Sequence, residues 1–326
     1  MNTARKNINP MKRIMTILLA VLLFAMPLIG YAENAGYPIE ENTGRDKDSY
    51  PWIIRTPYAI WHISKEDIEL IGEDVYYEGL YAILDDAEAD FADARAALAG
   101  FIPDEIQPID IYTDFCGKAE ASKTADAFYR DQGNYIKLFR GWETVRITLL
   151  HEYIHYLTIH CAETPAQFHF WQEGFADYIS IYVCKNRLSR SVNMGYDLSV
   201  INPAMLEQAW DQEDDCLDPR LVYLGFAALA VRGYGIGEKY FAIINDWIVR
   251  TEQIQENPMS DELYFYEAAG MVAYLVETYG RDTVFGNWDL DPDRMETVYG
   301  KTFPELYHDW TIWNDEQCAK SGIVIP

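Results

Sequence analysis

The stretch LLHEYIHYLTIHC, residues 149–161, holds three of the chain's six histidines. Within it, His151, Glu152 and His155 stand in the order H-E-x-x-H. On an α-helix, residues i and i+4 lie on one face, so His151 and His155 project together and can share one metal ion. Glu152 is offset from His151 by about a third of a turn. That places it beside the ion, where a base for an activated water belongs. The chemistry this pattern suits is hydrolysis by zinc-activated water, with Glu152 as general base.

A catalytic zinc takes three protein ligands and keeps one position open. Two places offer a third ligand. One continues the motif as H-E-x-x-H-x-x-G-x-x-H. Here Thr158 fills the glycine slot, Cys161 fills the last histidine slot, and His160 is one residue out of register. Threonine is poorly suited to a left-handed turn. The other place is the segment FWQEGFADY, where Glu173 lies 18 positions after His155 across a short loop. A second helix folded back there brings Glu173 to the two histidines. Asp177, one turn further on, can accept the second N–H of a ligand histidine, His151 by preference. Two acidic residues one turn apart on a largely apolar helix need partners if buried, and zinc is one. Glu173 is therefore the expected ligand, with Cys161 and His160 as the alternatives. His62 lies in no motif and is expected to be structural. His169 opens the second helix and suits either the cleft mouth or a helix-end role.

The elements that must position these residues show in the periodicity. YAIWHIS (58–64), IDIYTDF (109–115) and NYIKLF (134–139) have strand character. Residues 77–99 repeat apolar side chains at helical spacing and stop before Gly100. A long helix is predicted over 143–160, a loop over 162–168, and a second helix over 169–186. Helices follow at 219–232, 237–250, 261–279 and 304–316. The strand 133–139 is expected to form the upper edge of a cleft that pairs with an extended peptide. Strands grouped before helices predict an α+β fold. It comprises a small N-terminal mixed sheet with one helix, the two site helices, and an α-helical C-terminal part.

The chain has 326 residues, half of them apolar, and a formal net charge of −26. Arg5, Lys6, Lys12 and Arg13 precede the apolar run IMTILLAVLLFAMPLIG, which ends at Gly30-Tyr31-Ala32. This reads as a secretory signal peptide over 1–32, cleaved after Ala32. Cleavage removes four basic residues and no acidic ones. It leaves 22 Lys and Arg against 52 Asp and Glu, a net charge of −30. Such a charge excludes nucleic acid and argues against stable membrane association. Residues 33–50 are polar and read as a flexible leader. Residues 51–200 form the expected catalytic core and 201–326 a helical C-terminal domain. In an oxidising compartment the five cysteines allow up to two disulfides and one free thiol. No C-x-x-C spacing suggests a structural zinc site.

H-E-Y-I-H followed by E-G-F-A-D-Y resembles the gluzincin, or peptidase MA-like, zinc metallopeptidases. The likeness is specific over 134–186. It is looser over 261–316, where YEAAGMVAYLVETYG and YGKTFPELYHDW are similar to the helical tail of bacterial members. The resemblance implies one Zn2+ per chain on His151, His155 and Glu173, Glu152 as base, and Asp177 as a supporting carboxylate. It implies a secreted peptidase acting on a peptide or protein substrate. It also implies a Tyr or His oxyanion donor beyond the glutamate helix. Tyr266, Tyr264, Tyr223 and His308 are the candidates, with Tyr266 preferred because it opens the tail helix. Some features depart from the family pattern. Phe170 stands three residues before Glu173 where aminopeptidases usually have Trp, 17 residues separate His155 from Glu173, and the G-x-M-E-N signature is absent. The rival expectation is a secreted zinc-containing binding protein without turnover.

Overall fold

The computed structural model describes residues 36–114, 127–130, 133–139, 145–184, 188–189, 210–211, 216–217, 219–229 and 259–323. Its first layer is a six-stranded sheet. The strands are β1 (Ile39–Glu41), β2 (Trp52–Arg55), β3 (Ala59–Ile63), β4 (Ile109–Asp114), β5 (Ala127–Arg130) and β6 (Tyr135–Phe139). They lie in the order β1-β2-β3-β4-β6-β5. The β3–β4 and β4–β6 pairs are parallel, and the other three pairs are antiparallel. A mixed sheet followed by helices makes the fold α+β. Along β4, buried Ile109, Ile111 and Thr113 alternate with half-buried Asp110, Tyr112 and Asp114. That period of two turns one face to the core and the other toward solvent.

The strand 135–139 is interior, so it does not form the cleft edge. The edge is β5, which pairs antiparallel with it through Tyr129 and Ile136. AFYR is too short for its alternation to register in the sequence. Residues 39–41 of the expected leader are paired as β1 with β2. The loop after it is tied by Asn42, whose Oδ1 accepts from Gly44 N at 2.8 Å and whose Nδ2 donates to Tyr50 O at 2.7 Å.

The helices α1 (Lys65–Ile71) and α2 (Glu73–Ala97) follow β3. On α2, buried Tyr76, Leu80, Leu84, Ala87, Phe91 and Ala94 recur every three or four residues and form one apolar stripe. The carbonyls at the end of α2 are satisfied from far along the chain. Arg281 donates through Nη2 to Ala97 O at 2.7 Å and to Ala99 O at 3.0 Å, and its guanidinium lies over the Phe101 ring.

Two helices carry the expected site, α3 (Val145–His155) and α4 (His169–Asp177). Each widens into a π-helical turn directly after its last expected site residue, over Tyr156–Cys161 and Tyr178–Val183. A hydroxyl attends each junction. Thr158 Oγ1 donates to Ile154 O at 2.9 Å, and Ser180 Oγ to Asp177 O at 3.3 Å. Thr158 in the glycine slot thus continues a helix and does not reverse the chain.

Beyond a small sheet of β7 (Leu188–Ser189), β9 (Cys216–Leu217) and β8 (Trp210–Asp211) come the remaining helices among the described residues. They are α5 (Pro219–Leu229), α6 (Met259–Tyr279), α7 (Arg281–Phe285), α8 (Glu296–Tyr299) and α9 (Phe303–Lys320). They lie in the compact unit Pro38–Pro326, within which α6 packs along α4. The reason is apolar: Phe170, Trp171 and Phe175 of α4 are buried, and Trp171 Nε1 donates to Leu290 O at 2.6 Å. The signal segment expected at 1–32 and the helix expected at 237–250 lie outside the described residues. Cys161, Cys184 and Cys318 carry thiols that are in no disulfide.

Gly174 sets the closeness of α4 and α6. A Cβ there would meet Val272 Cγ2 at 2.9 Å and the Ala268 carbonyl oxygen at 3.1 Å. Gly174→Ala should force the helices apart and cost about 1–3 kcal/mol, as overpacking usually does. Urea denaturation checks this, and an unchanged midpoint would mean the contact yields freely.

Candidate metal centre

From Thr148 to His155, α3 is buried almost all round. Tyr153 stacks on Phe91 of α2 at 3.9 Å and accepts a hydrogen bond from Arg95 Nε at 2.7 Å. With that side anchored, the opposite side carries His151 and His155, their ring centroids 4.6 Å apart. α4 delivers Glu173 to them. Its Oε2 lies 3.1 Å from His151 Nε2 and 3.3 Å from His155 Nε2, and the two Nε2 atoms are 3.0 Å apart. Among the described residues these three form the one cluster of His, Cys, Asp or Glu that could hold a metal ion. Cys161 and His160 do not join it; each contacts Tyr156 instead, His160 by ring stacking at 5.7 Å.

The donor set fits zinc. Bonds of about 2.0–2.1 Å to a tetrahedral ion put neighbouring ligand atoms about 3.3 Å apart. The three observed separations lie within a few tenths of an ångström of that value. Asp177 Oδ1 is 2.6 Å from His151 Nδ1. A carboxylate accepts, so a proton sits on Nδ1, and Nε2 is the nitrogen that faces Glu173 and His155. The other oxygen of Asp177 accepts from Tyr223 at 2.8 Å.

Glu152 stands outside the triad. It is buried, and its Oε2 accepts the Tyr129 amide of the edge strand β5 at 2.6 Å. Burial raises its carboxyl above the ordinary 4.5, against the pull of His151 and His155. Glu173 goes the other way. Burial would raise it, but His155, His151 and His169 together hold it well below the usual range. For His151, burial favours the neutral ring, and Asp177 and Glu173 outweigh it, holding the imidazole well above 6.5.

The tail helix meets the site through consecutive residues on different sides, because each helical step turns the chain by about 100°. The Phe265 ring is 6.2 Å from His151. Tyr264 stacks on His169 at 5.3 Å. Tyr266 packs on Tyr223 at 4.4 Å and on Phe226 at 4.5 Å. The helix begins at Met259, two turns before Tyr266, so Tyr266 does not open it. His308 is exposed on α9. His62, on β3, lies between Asp110 at 2.8 Å and Asp46 at 2.9 Å, stacked on Tyr112. Sequence reasoning named Tyr223 as an oxyanion candidate and not as the partner of Asp177, and it missed Phe265 and the Tyr129 amide as neighbours of the site. Only the Tyr129 contact had a signal, in the short aromatic run before Gly133. No protein-family model, no curated protein and no solved structure matches the chain.

The charges give a pH signature in the metal-free protein. The lowered Glu173 contributes stability above pH 4.5 that is lost as pH falls below it. The raised His151 contributes stability below pH 6.5 that is lost as pH rises through its folded value. Asp177→Asn removes the main charge that holds His151 up. In chelator, the melting-temperature gap between wild type and Asp177→Asn should therefore shrink as pH rises from 6.5 toward 9. A gap constant across that range would separate Asp177 from the titration of His151.

Proposed function

We propose that the protein is a secreted zinc-dependent peptidase, holding one Zn2+ on His151, His155 and Glu173 and using Glu152 as general base. The observation that carries this is the triad of donor atoms at 3.0–3.3 Å with a buried fourth group, Glu152, beside it and not part of it. A zinc ion bound there would supply the electrophile that acidifies a water and polarises a carbonyl.

The chain's own residues do the rest. Asp177 keeps the Nδ1 proton on His151, and Tyr223 holds Asp177 in turn. Glu152, its carboxyl raised by burial, takes a proton from the attacking water and returns it to the leaving nitrogen. In this reading the outer edge of β5, where the Tyr129 amide meets Glu152, borders the site that takes an extended peptide. Tyr266, the expected oxyanion donor, packs its ring on Tyr223 and Phe226. No helix among the described residues is long and apolar enough to cross a membrane.

Elemental analysis of the chain beginning at residue 33 should find one zinc, lost in Glu173→Ala and kept in Cys161→Ser. Glu152→Gln should retain zinc and melting temperature. It should also cut hydrolysis of a peptide mixture by at least the ~10²–10⁴ that base catalysis contributes. Loss of zinc in Glu152→Gln would make Glu152 a ligand. If wild type and mutant bound the same peptides and neither cleaved any, a zinc-containing binding protein would be the better reading.

A further inference from the structure

His169 has no place in the chemistry so far, although it is the first residue of α4 and stands one turn before Glu173. Its Nδ1 lies 3.3 Å from Glu173 Oε1. That is the oxygen opposite the one facing His151 and His155. Both side chains are mostly buried, at 17% and 13% exposure. A helix-end role does not account for a histidine here. A helix N-terminus favours anions over a cationic side chain, and the preceding Phe168 supplies no side-chain cap.

We propose that His169 is a positioning residue, which ties down the outer oxygen of Glu173 so that one oxygen alone faces the two histidines. The inference rests on the metal reading of the site.

The terminal torsion of a glutamate is broad and two-fold, so an untethered Glu173 could present either oxygen, or both, to an ion. Contact with His169 makes the two oxygens unequal. Ligation by a single oxygen leaves a coordination position open, as a catalytic zinc requires. The imidazole is itself held. Tyr264 of α6, fully buried, lies parallel to it with ring centroids 5.3 Å apart and an interplanar angle of 4°. A residue 91 positions beyond Glu173 therefore braces the ligand through one intermediate ring. This gives α6 a reason to lie where Gly174 lets it come close.

Three variants separate the donor from the ring. His169→Phe keeps the stack on Tyr264 and loses the N–H. His169→Asn loses the stack and keeps a donor near the Nδ1 position. His169→Ala loses both. The readouts are zinc affinity, by competition with a chromophoric chelator, and the visible spectrum of the cobalt-substituted protein, with metal-free melting temperature as the check on folding. Wild type and His169→Asn should give the intense absorption of a four-coordinate cobalt. His169→Phe and His169→Ala should give the weaker five-coordinate spectrum, with zinc affinity lower by about 10–100-fold, the size usual for lost outer contacts. Metal-free His169→Phe should still unfold cooperatively, at a melting temperature below that of wild type because Glu173 Oε1 loses its partner. If His169→Phe keeps wild-type affinity and spectrum, or if His169→Asn is impaired as much as His169→Phe, the positioning role is overturned while the site itself stands. If wild type binds neither zinc nor cobalt, the metal reading falls and this inference with it.

Discussion

Two carboxylates taken out of water on one helix are the constraint on which the rest of this structure depends. Glu173 and Asp177 sit one turn apart on α4, and Asp177 is only 4% exposed. A buried carboxylate without a partner costs several kcal/mol. His151 meets both, Asp177 through Nδ1 and Glu173 through Nε2. The second oxygens are met by Tyr223 and His169. Every one of these partners comes from a different turn or a different helix, so the cluster fixes how α3, α4, α5 and α6 come together. Replacing any one partner by an apolar group leaves a buried charge behind, which is why the cluster acts as a unit.

The aromatic side chains solve the complementary problem of filling the volume around that charge. Phe265, Tyr264, Tyr266 and Phe226 close over the histidines and over Tyr223. Their low polarity strengthens the electrostatics they enclose. Phe170, Trp171 and Phe175 point from α4 toward the tail helices and the residues around Leu290. Thus α4 has one polar side on α3 and apolar sides elsewhere, and its glycine admits α6 at backbone distance.

The π-helical turns belong to the same geometry. π-turns occur mostly as single turns, often at functional sites. Here each comes directly after the last polar residue of the cluster, His155 on α3 and Asp177 on α4. The wide turn rotates the next stretch of helix, so that Leu157, Ile179 and Ile181 return to the core. Thr158 and Ser180 supply hydroxyl hydrogens to the carbonyls at the junctions, which keeps the irregularity from leaving buried acceptors bare.

Much of the centre is a matter of local periodicity, and the sequence by itself determined it. His151 and His155 share a face because a helix repeats every 3.6 residues, and Glu173 and Asp177 share one for the same reason. The α+β order of elements was legible too, since strand alternation in 109–115 and helical spacing in 77–99 are local properties. What only the tertiary structure decided is each contact between elements distant in the chain. The edge of the sheet fell to β5 because strand order depends on pairing partners and not on a strand's own residues. Residues 39–41 became a strand because β2 offered an edge to them, though their composition is that of a polar leader. Tyr266 turned to Phe226 and Tyr223 because it stands two turns inside a helix that begins at Met259, and each step of a helix changes the side presented. Likewise, no spacing could place Tyr264 on His169, or Arg281 on the end of α2. Such contacts are set by which buried surfaces fit together, and that fit is a property of the packed molecule.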